Sequence, residues 1–325
     1  MSDIPHCHAE SFRSPEEHAL GLPQLNQQYL QTGPGRYDGY LQQFRLDDEV
    51  FVYRERLNVP ILQEGWVKKG CRMFGIPVPL ESRTTLYGRA IGASIGHLAS
   101  GGEFSTQSSG PSEHVGIVLG ESTFATCAEY LGGIASLHWT DHRLLEVSPQ
   151  ARQHVAAGIL GSLLALEGNP EALAFPAARM SARDDILERL LCLLIDAEAP
   201  RRRVNVTQMT YSEVVNRCRE FVQANPTQPV GVLELCAQVR VSPRTLQTAF
   251  VEVAGVTPHV YLRAIRLSWV RKLLRQTSAD RLQIKDAAAR WGFVHMGRFA
   301  ADYNRMFGYL PSETARASHG RGARG

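Results

Sequence analysis

At 325 residues the chain can hold two domains with separate cores, and 44% hydrophobic with 21% charged residues is an ordinary globular composition. No run approaches the roughly 18 apolar residues of a bilayer span, and the opening MSDIPHCHAESFRSPEEH lacks a signal peptide's basic patch and apolar run, which predicts a cytoplasmic protein with no membrane partner. The net charge of +3 conceals an asymmetry: residues 201–325 hold 20 Lys/Arg against 8 Asp/Glu, and residues 1–200 hold 15 against 24, so the C-terminal part faces a polyanion or, failing that, presents a solvated basic face.

In chain order, residues 1–30 are polar and weakly patterned and read as a flexible arm. His6-Cys7-His8 has no fourth ligand nearby, so no metal is expected. The six cysteines (Cys7, Cys71, Cys127, Cys192, Cys218, Cys236) form no CxxC pair and read as reduced, packed thiols. Residues 31–199 read as a sensor or dimerisation domain. From Tyr37 to Leu119 short apolar runs such as Val50-Phe-Val-Tyr and Val115-Gly-Ile-Val-Leu alternate with Gly65, Gly70, Pro77, Gly88 and Gly92, which predicts an antiparallel barrel or sandwich. Helical period follows from Ser148-Pro149 to Glu167 and from Ser181 to Ala197. The stripe Ile186, Leu187, Leu190, Leu191, Leu194 and Ile195 serves either a core or a contact between two copies of a homodimer. Residues 200–210, with Pro200 and an arginine run, read as a linker.

Everything from 211 to 318 is helical, ahead of a disordered tail at 319–325. A helix over Tyr211–Ala224 is followed by a short one over Val230–Val239. Ser242-Pro243, an N-cap and first-turn pair, then opens a helix that closes at Gly255. Short helix, tight turn and second helix make a helix-turn-helix unit, whose second helix enters the major groove. Thr257-Pro258 opens a long helix reaching about Thr277. The pattern then repeats, with Ile284–Trp291, the turn Gly292-Phe293, and a helix from Met296 to Phe307 closing at Gly308. The fold class is therefore α+β: an N-terminal mixed domain of antiparallel barrel or sandwich plus helices, and a C-terminal all-α domain of two helix-turn-helix units joined by a long helix.

Leu235-Cys-Ala-Gln-Val-Arg-Val-Ser-Pro-Arg-Thr-Leu-Gln-Thr-Ala-Phe closely resembles the first unit of the AraC/XylS family DNA-binding domain. Ile284-Lys-Asp-Ala-Ala-Ala-Arg-Trp-Gly-Phe, with Gly297-Arg-Phe-Ala-Ala-Asp-Tyr-Asn-Arg-Met-Phe-Gly and Pro311, resembles its second. The resemblance implies two recognition helices in successive major grooves of promoter DNA, and a regulator that works with RNA polymerase. Candidate base readers are Arg244, Gln247 and Thr248 on the first recognition helix and Met296, Gly297 and Arg298 on the second. The family has arginine where Thr248 stands, a small hydroxyl residue at Gly297 and a basic one at Ala301. Arg298 is thus the one strong hydrogen-bonding side chain left on the second helix, with a phosphate contact as its alternative. Thr257, Lys285, Arg305 and Ser312 fit backbone contacts or solvated surface.

The N-terminal half carries no catalytic constellation, so no enzyme and no cofactor is expected; Glu113-His114 reads as a surface pair on a strand edge. Gly35-Arg-Tyr-Asp-Gly-Tyr-Leu, Val52-Tyr-Arg-Glu and Phe74-Gly-Ile-Pro are similar to ethanolamine-operon regulators, which implies a small effector, ethanolamine with adenosylcobalamin. Trp66, Phe74, His97, Glu103 and Phe104 either line a ligand pocket or are ordinary barrel packing. In the alternative reading this half only dimerises or meets a protein partner, without a ligand.

Overall fold

In the computed structural model residues 6–78, 82–130, 142–195, 197, 206–225, 230–277, 282–293 and 296–322 are described. The N-terminal half runs β1 (Cys7–Phe12), α1 (Pro15–Ala19), β2 (Leu25–Gln31), β3 (Gly39–Arg45), β4 (Val50–Leu57), β5 (Ile61–Val67), β6 (Cys71–Pro77), β7 (Thr84–Leu86), β8 (Arg89–Ala90), β9 (Ile95–Leu98), β10 (Glu103–Ser108), β11 (Ser112–Gly120), α2 (Glu121–Tyr130), β12 (Leu144–Leu145), α3 (Pro149–Gly168) and α4 (Pro176–Ile195). The strands form two sheets, ordered β1-β3-β4-β11-β6-β9-β12 and β2-β5-β10-β7-β8, with antiparallel pairing between neighbours.

Period-two alternation sets the layers. On the larger sheet Val50 and Val52 of β4, Phe74 and Ile76 of β6, and Val115 and Ile117 of β11 face a core shared with α2, α3 and α4. Their neighbours Tyr53, Met73 and Val118 face the opposite core, against Leu25 and Tyr29 of β2 and Phe104 of β10 on the smaller sheet. Ile186, Leu187, Leu190 and Leu194 all enter the helix-side core, so this stripe is used within the protomer.

Three boundaries depart from the sequence expectation. Residues 1–30 read as a flexible arm, yet β1, α1 and all of β2 but its last residue fall within them. β1 escapes a hydropathy reading because only its Phe12 is buried and its order comes from backbone pairing with β3. β2 escapes it because Gln27 and Gln31 are among the residues it buries. The helix after the linker, α5 (Val206–Ala224), starts five residues before Tyr211, while residues 198–205 lie outside the described residues. The final helix, α11 (Pro311–Gly322), continues through most of the expected tail, and residues 323–325 lie outside the described residues.

Between them lie α6 (Val232–Val239), α7 (Pro243–Ala254), α8 (Pro258–Gln276), α9 (Ile284–Arg290) and α10 (Met296–Phe307). The caps are those the sequence predicts. Ser242 accepts the Thr245 amide at 3.1 Å and Thr257 that of Val260 at 3.3 Å. α7 closes at Gly255, whose φ of +69° favours glycine. Each helix-turn-helix unit has its own core: Leu246 and Phe250 with α5 and α6 in the first, Phe299, Tyr303 and Phe307 with α9 in the second. α8 joins them, giving Tyr261 and Leu262 to the first core and Leu267, Val270 and Leu274 to the second. Its 19 residues span about 28 Å at about 1.5 Å per residue.

The smaller sheet also seats both units. Leu30 and Leu62 join the first core, and Glu64 pairs with Arg219 of α5. A Cβ added at Gly88 would lie 2.2 Å from the Glu252 carbonyl oxygen, which measures how closely the β7–β8 turn meets the end of α7. At the end of α10, the Gly35 amide donates to the Arg305 carbonyl at 3.1 Å and Gln31 to that of Met306, capping carbonyls a helix leaves without partners. Gly308, at φ +75°, packs against Arg36, where any Cβ would lie 2.6–2.9 Å from it. Gly308→Ala is therefore expected to destabilise the full chain by at least about 1 kcal/mol, to be read by chemical denaturation. An unchanged midpoint would mean this contact is not kept in solution.

Candidate nucleic-acid interface

The contacts of α7 and α10 with the N-terminal half fall at their C-terminal ends. Their N-terminal turns are exposed: Arg244 and Gln247 on α7, and Met296, Gly297 and Arg298 on α10. The apolar face of each helix places these residues outward, because Leu246 and Phe250, or Phe299 and Tyr303, fill the cores behind them. Thr248 is half-buried and its hydroxyl donates to the Arg244 carbonyl at 3.0 Å, which leaves it a weak reader. Among the backbone candidates Lys285 is exposed, Thr257 and Ser312 are half-buried, and Thr257 is occupied as the N-cap of α8.

A groove of about 370 Å³ lies between the units, lined by His259, Arg263 and Arg266 of α8, Gly292-Phe293 of the turn, and Arg298 and Asp302 of α10. Asp302 is 5% exposed and ion-pairs with both Arg263 and Arg305. Burial, then the neighbouring Arg298 and Arg305 charges, push the Arg263 guanidinium below its ordinary value. That positive field was not legible as a motif, because Arg263 and Arg298 are 35 residues apart and only the packing of α8 on α10 brings them together.

The five pocket candidates do not come together. Phe74 and His97 stack at 5.1 Å on the helix side of the larger sheet, Trp66 is 47% exposed opposite the exposed Glu103, and Phe104 alone lines a cavity between the sheets. That cavity, of about 80 Å³, centres on residues the sequence did not single out. Glu55, 1% exposed, has Tyr29 Oη at 2.6 Å and His18 Nε2 at 3.1 Å from Oε1, with Gln63 Nε2 at 2.9 Å and His114 Nε2 at 3.3 Å from Oε2. Burial pushes its carboxyl up, but the His18 hydrogen bond and charge, the His114 charge and the Tyr29 hydrogen bond outweigh it and hold the group at about 2. Burial lowers the His114 imidazole. Glu113, read as a surface partner of His114, instead takes a 2.6 Å bond from Arg54. These groups come from four strands and α1, so no local spacing announces them.

Residues 235–317 match the family described as "Helix-turn-helix domain". The "Probable thc operon regulatory protein" of Rhodococcus erythropolis is 34% identical over 149 residues, 46% of this chain and 44% of that protein. The "XylDLEGF operon transcriptional activator 3" of Pseudomonas putida is 36% identical over 115 residues, 34% of this chain and 35% of its own length. A solved structure named as a probable AraC family transcriptional regulator from Rhodopseudomonas palustris is 31% identical, with a TM-score of 0.29, covering 33% of this chain and 97% of that one. The matches thus span less than half of either curated relative's length.

Proposed function

We propose that the chain is a helix-turn-helix transcription regulator of the AraC/XylS type that reads promoter DNA through α7 and α10 under the control of a small metabolite bound in the N-terminal domain. The observation that carries the DNA reading is the pair of recognition helices with exposed, cation-bearing N-terminal turns, joined by one continuous helix whose residues enter both cores. Its length of about 28 Å is close to the roughly 34 Å of a DNA turn. The excess of Lys/Arg beyond residue 200 supplies phosphate neutralisation. RNA polymerase and a second copy of the chain are the proposed protein partners. The enclosed, mostly apolar cavity favours a ligand over the alternative of an N-terminal half that only dimerises or binds a protein.

Arg298 separates base reading from charge. It is exposed and has no ion-pair partner among the described residues, so Arg298→Ala is expected to weaken the selected site by about 1–3 kcal/mol and to relax one or two base positions. Arg305→Ala is expected to weaken selected and random duplexes alike and to reduce the salt slope by about 1. Selection from random duplexes with each protein is the measurement. Identical profiles for wild type and Arg298→Ala would remove Arg298 from the base-reading set.

A further inference from the structure

One sheet separates the cavity from the helix-turn-helix units. Gln27 of β2, Gln63 of β5, Leu86 of β7, and Phe104 and Thr106 of β10 wall the cavity. On the same strands, in the alternate phase, Leu30, Leu62 and Glu64 meet the first unit, and Gln107 lies against Gly255 at the end of α7. A strand's side chains point to opposite faces in turn, so a single layer of backbone has the cavity on one side and the DNA-reading domain on the other.

The walls also restrict what fits. Among the described residues no Lys or Arg lines the cavity, so an entering carboxylate or phosphate would lose its hydration without gaining a counter-charge. Two carboxylates, Glu55 and Glu113, line it, but Glu55 accepts from Tyr29 and Gln63 and faces the His18 and His114 imidazoles, and Glu113 is held by Arg54, leaving little acceptor capacity for an ammonium. Gln27, Gln63, Thr106 and Ser108 remain as neutral hydrogen-bonding groups amid Leu25, Met73 and other apolar walls. On a scale where benzene fills about 150 Å³, a cavity of about 80 Å³ takes only a few heavy atoms, with Met73 flexible enough to yield a little more.

We propose that this cavity is the effector site, that it takes an uncharged molecule of about three to five heavy atoms with a hydrogen-bonding head, and that the five-stranded sheet relays its occupancy to both helix-turn-helix units. The proposal rests on the metabolite-control reading above. A filled cavity stiffens the sheet on which the ends of α7 and α10 are seated and so favours the DNA-competent arrangement.

The test uses the full chain with four probes of matched size: propionamide, 1-propanol, propionate and propylammonium. The two neutral probes, at tens of millimolar, are expected to raise the unfolding midpoint by about 1 °C or more and to tighten binding to a selected duplex about fivefold or more; the two ions are expected to do neither. Gly75→Ala combined with Gly96→Ala fills the cavity from the larger sheet, where an added Cβ meets nothing closer than 3.7 Å. This variant should fold, bind DNA without probe at least as tightly as wild type does, and lose both responses. Glu64→Met with Arg219→Met, an apolar replacement of the bridging pair, should keep the thermal response and blunt the DNA response. No midpoint shift with either neutral probe, an equal shift with propionate, or a response surviving in the double glycine variant would overturn the site. A thermal response without any change in DNA affinity in wild type would overturn the relay. Wild type that fails to bind DNA without probe would instead strike the DNA-reading proposal.

Discussion

Inserting two alanines after Ser268 of α8 will abolish sequence-specific DNA binding, by 100-fold or more, while leaving helix content unchanged. Two residues turn everything beyond them by about 200° and advance it by about 3 Å. Tyr261, Leu262 and Ile265 lie before the insertion and pack in the first core; Val270, Leu273 and Leu274 lie after it and pack in the second. Each unit keeps most of its core, with only Leu267 of the second and Trp269 of the first falling on the wrong side of the insertion, but Arg298 no longer faces the same side of the duplex as Arg244. The N-terminal half compounds the conflict. Arg271 donates to the Arg13 carbonyl at 3.1 Å and sits over the Phe307 ring at 4.7 Å, while Arg275 pairs with Glu17 of α1, so the second half of α8 is fixed to the same platform as the first unit. Weak, salt-sensitive binding to random DNA should remain, because the phosphate-facing charge is unaltered. Footprinting on a selected site and far-ultraviolet circular dichroism are the measurements. An insertion mutant that keeps the full footprint would show that the units are flexibly tethered.

Glu55→Leu will destabilise the N-terminal domain by about 3 kcal/mol at pH 7, because it removes the acceptor of the buried Tyr29 and Gln63 hydrogen bonds and the carboxylate that faces His18 and His114. For a domain of this size that is roughly 2–4 °C of midpoint per kcal/mol. The pH dependence identifies the group. Glu55 is held at about 2 when folded, against about 4.3 for an unfolded glutamate. A depressed folded value means stability that is fully present above about pH 4 and is lost as pH falls toward about 2. Wild-type stability should therefore drop more steeply across that window than Glu55→Leu, and the two should converge at its acid end. Parallel curves would exclude Glu55 as the titrating group. The loss should be visible in denaturant unfolding of the full chain and should leave the helical signal of the C-terminal domain largely intact.

The C-terminal domain was legible in the sequence because its determinants are local. Ser242, Thr257 and the glycines at 255 and 308 mark helix ends by chemistry within a few residues of themselves, and Leu246, Phe250, Phe299 and Tyr303 repeat with the helical period. The alternation of β4 and β11 announced strands for the same reason. Other features depended on partners far along the chain. β1 carries almost no apolar signal and is ordered by pairing with β3, and β2 buries glutamines that only a completed network satisfies. The cavity beside Glu55 draws on residues from position 25 to position 114, and local spacing points instead to aromatic side chains such as Phe74 that pack on the other face of the sheet. In the same way Arg263 joins Arg298 through the packing of α8 against α10. Helix caps and recognition helices follow from the sequence because their energies are settled over one or two turns. The electropositive groove, the cavity and the sheet shared by cavity and DNA reader were decided by tertiary structure, because each is a sum over side chains that meet only when distant strands and helices are packed.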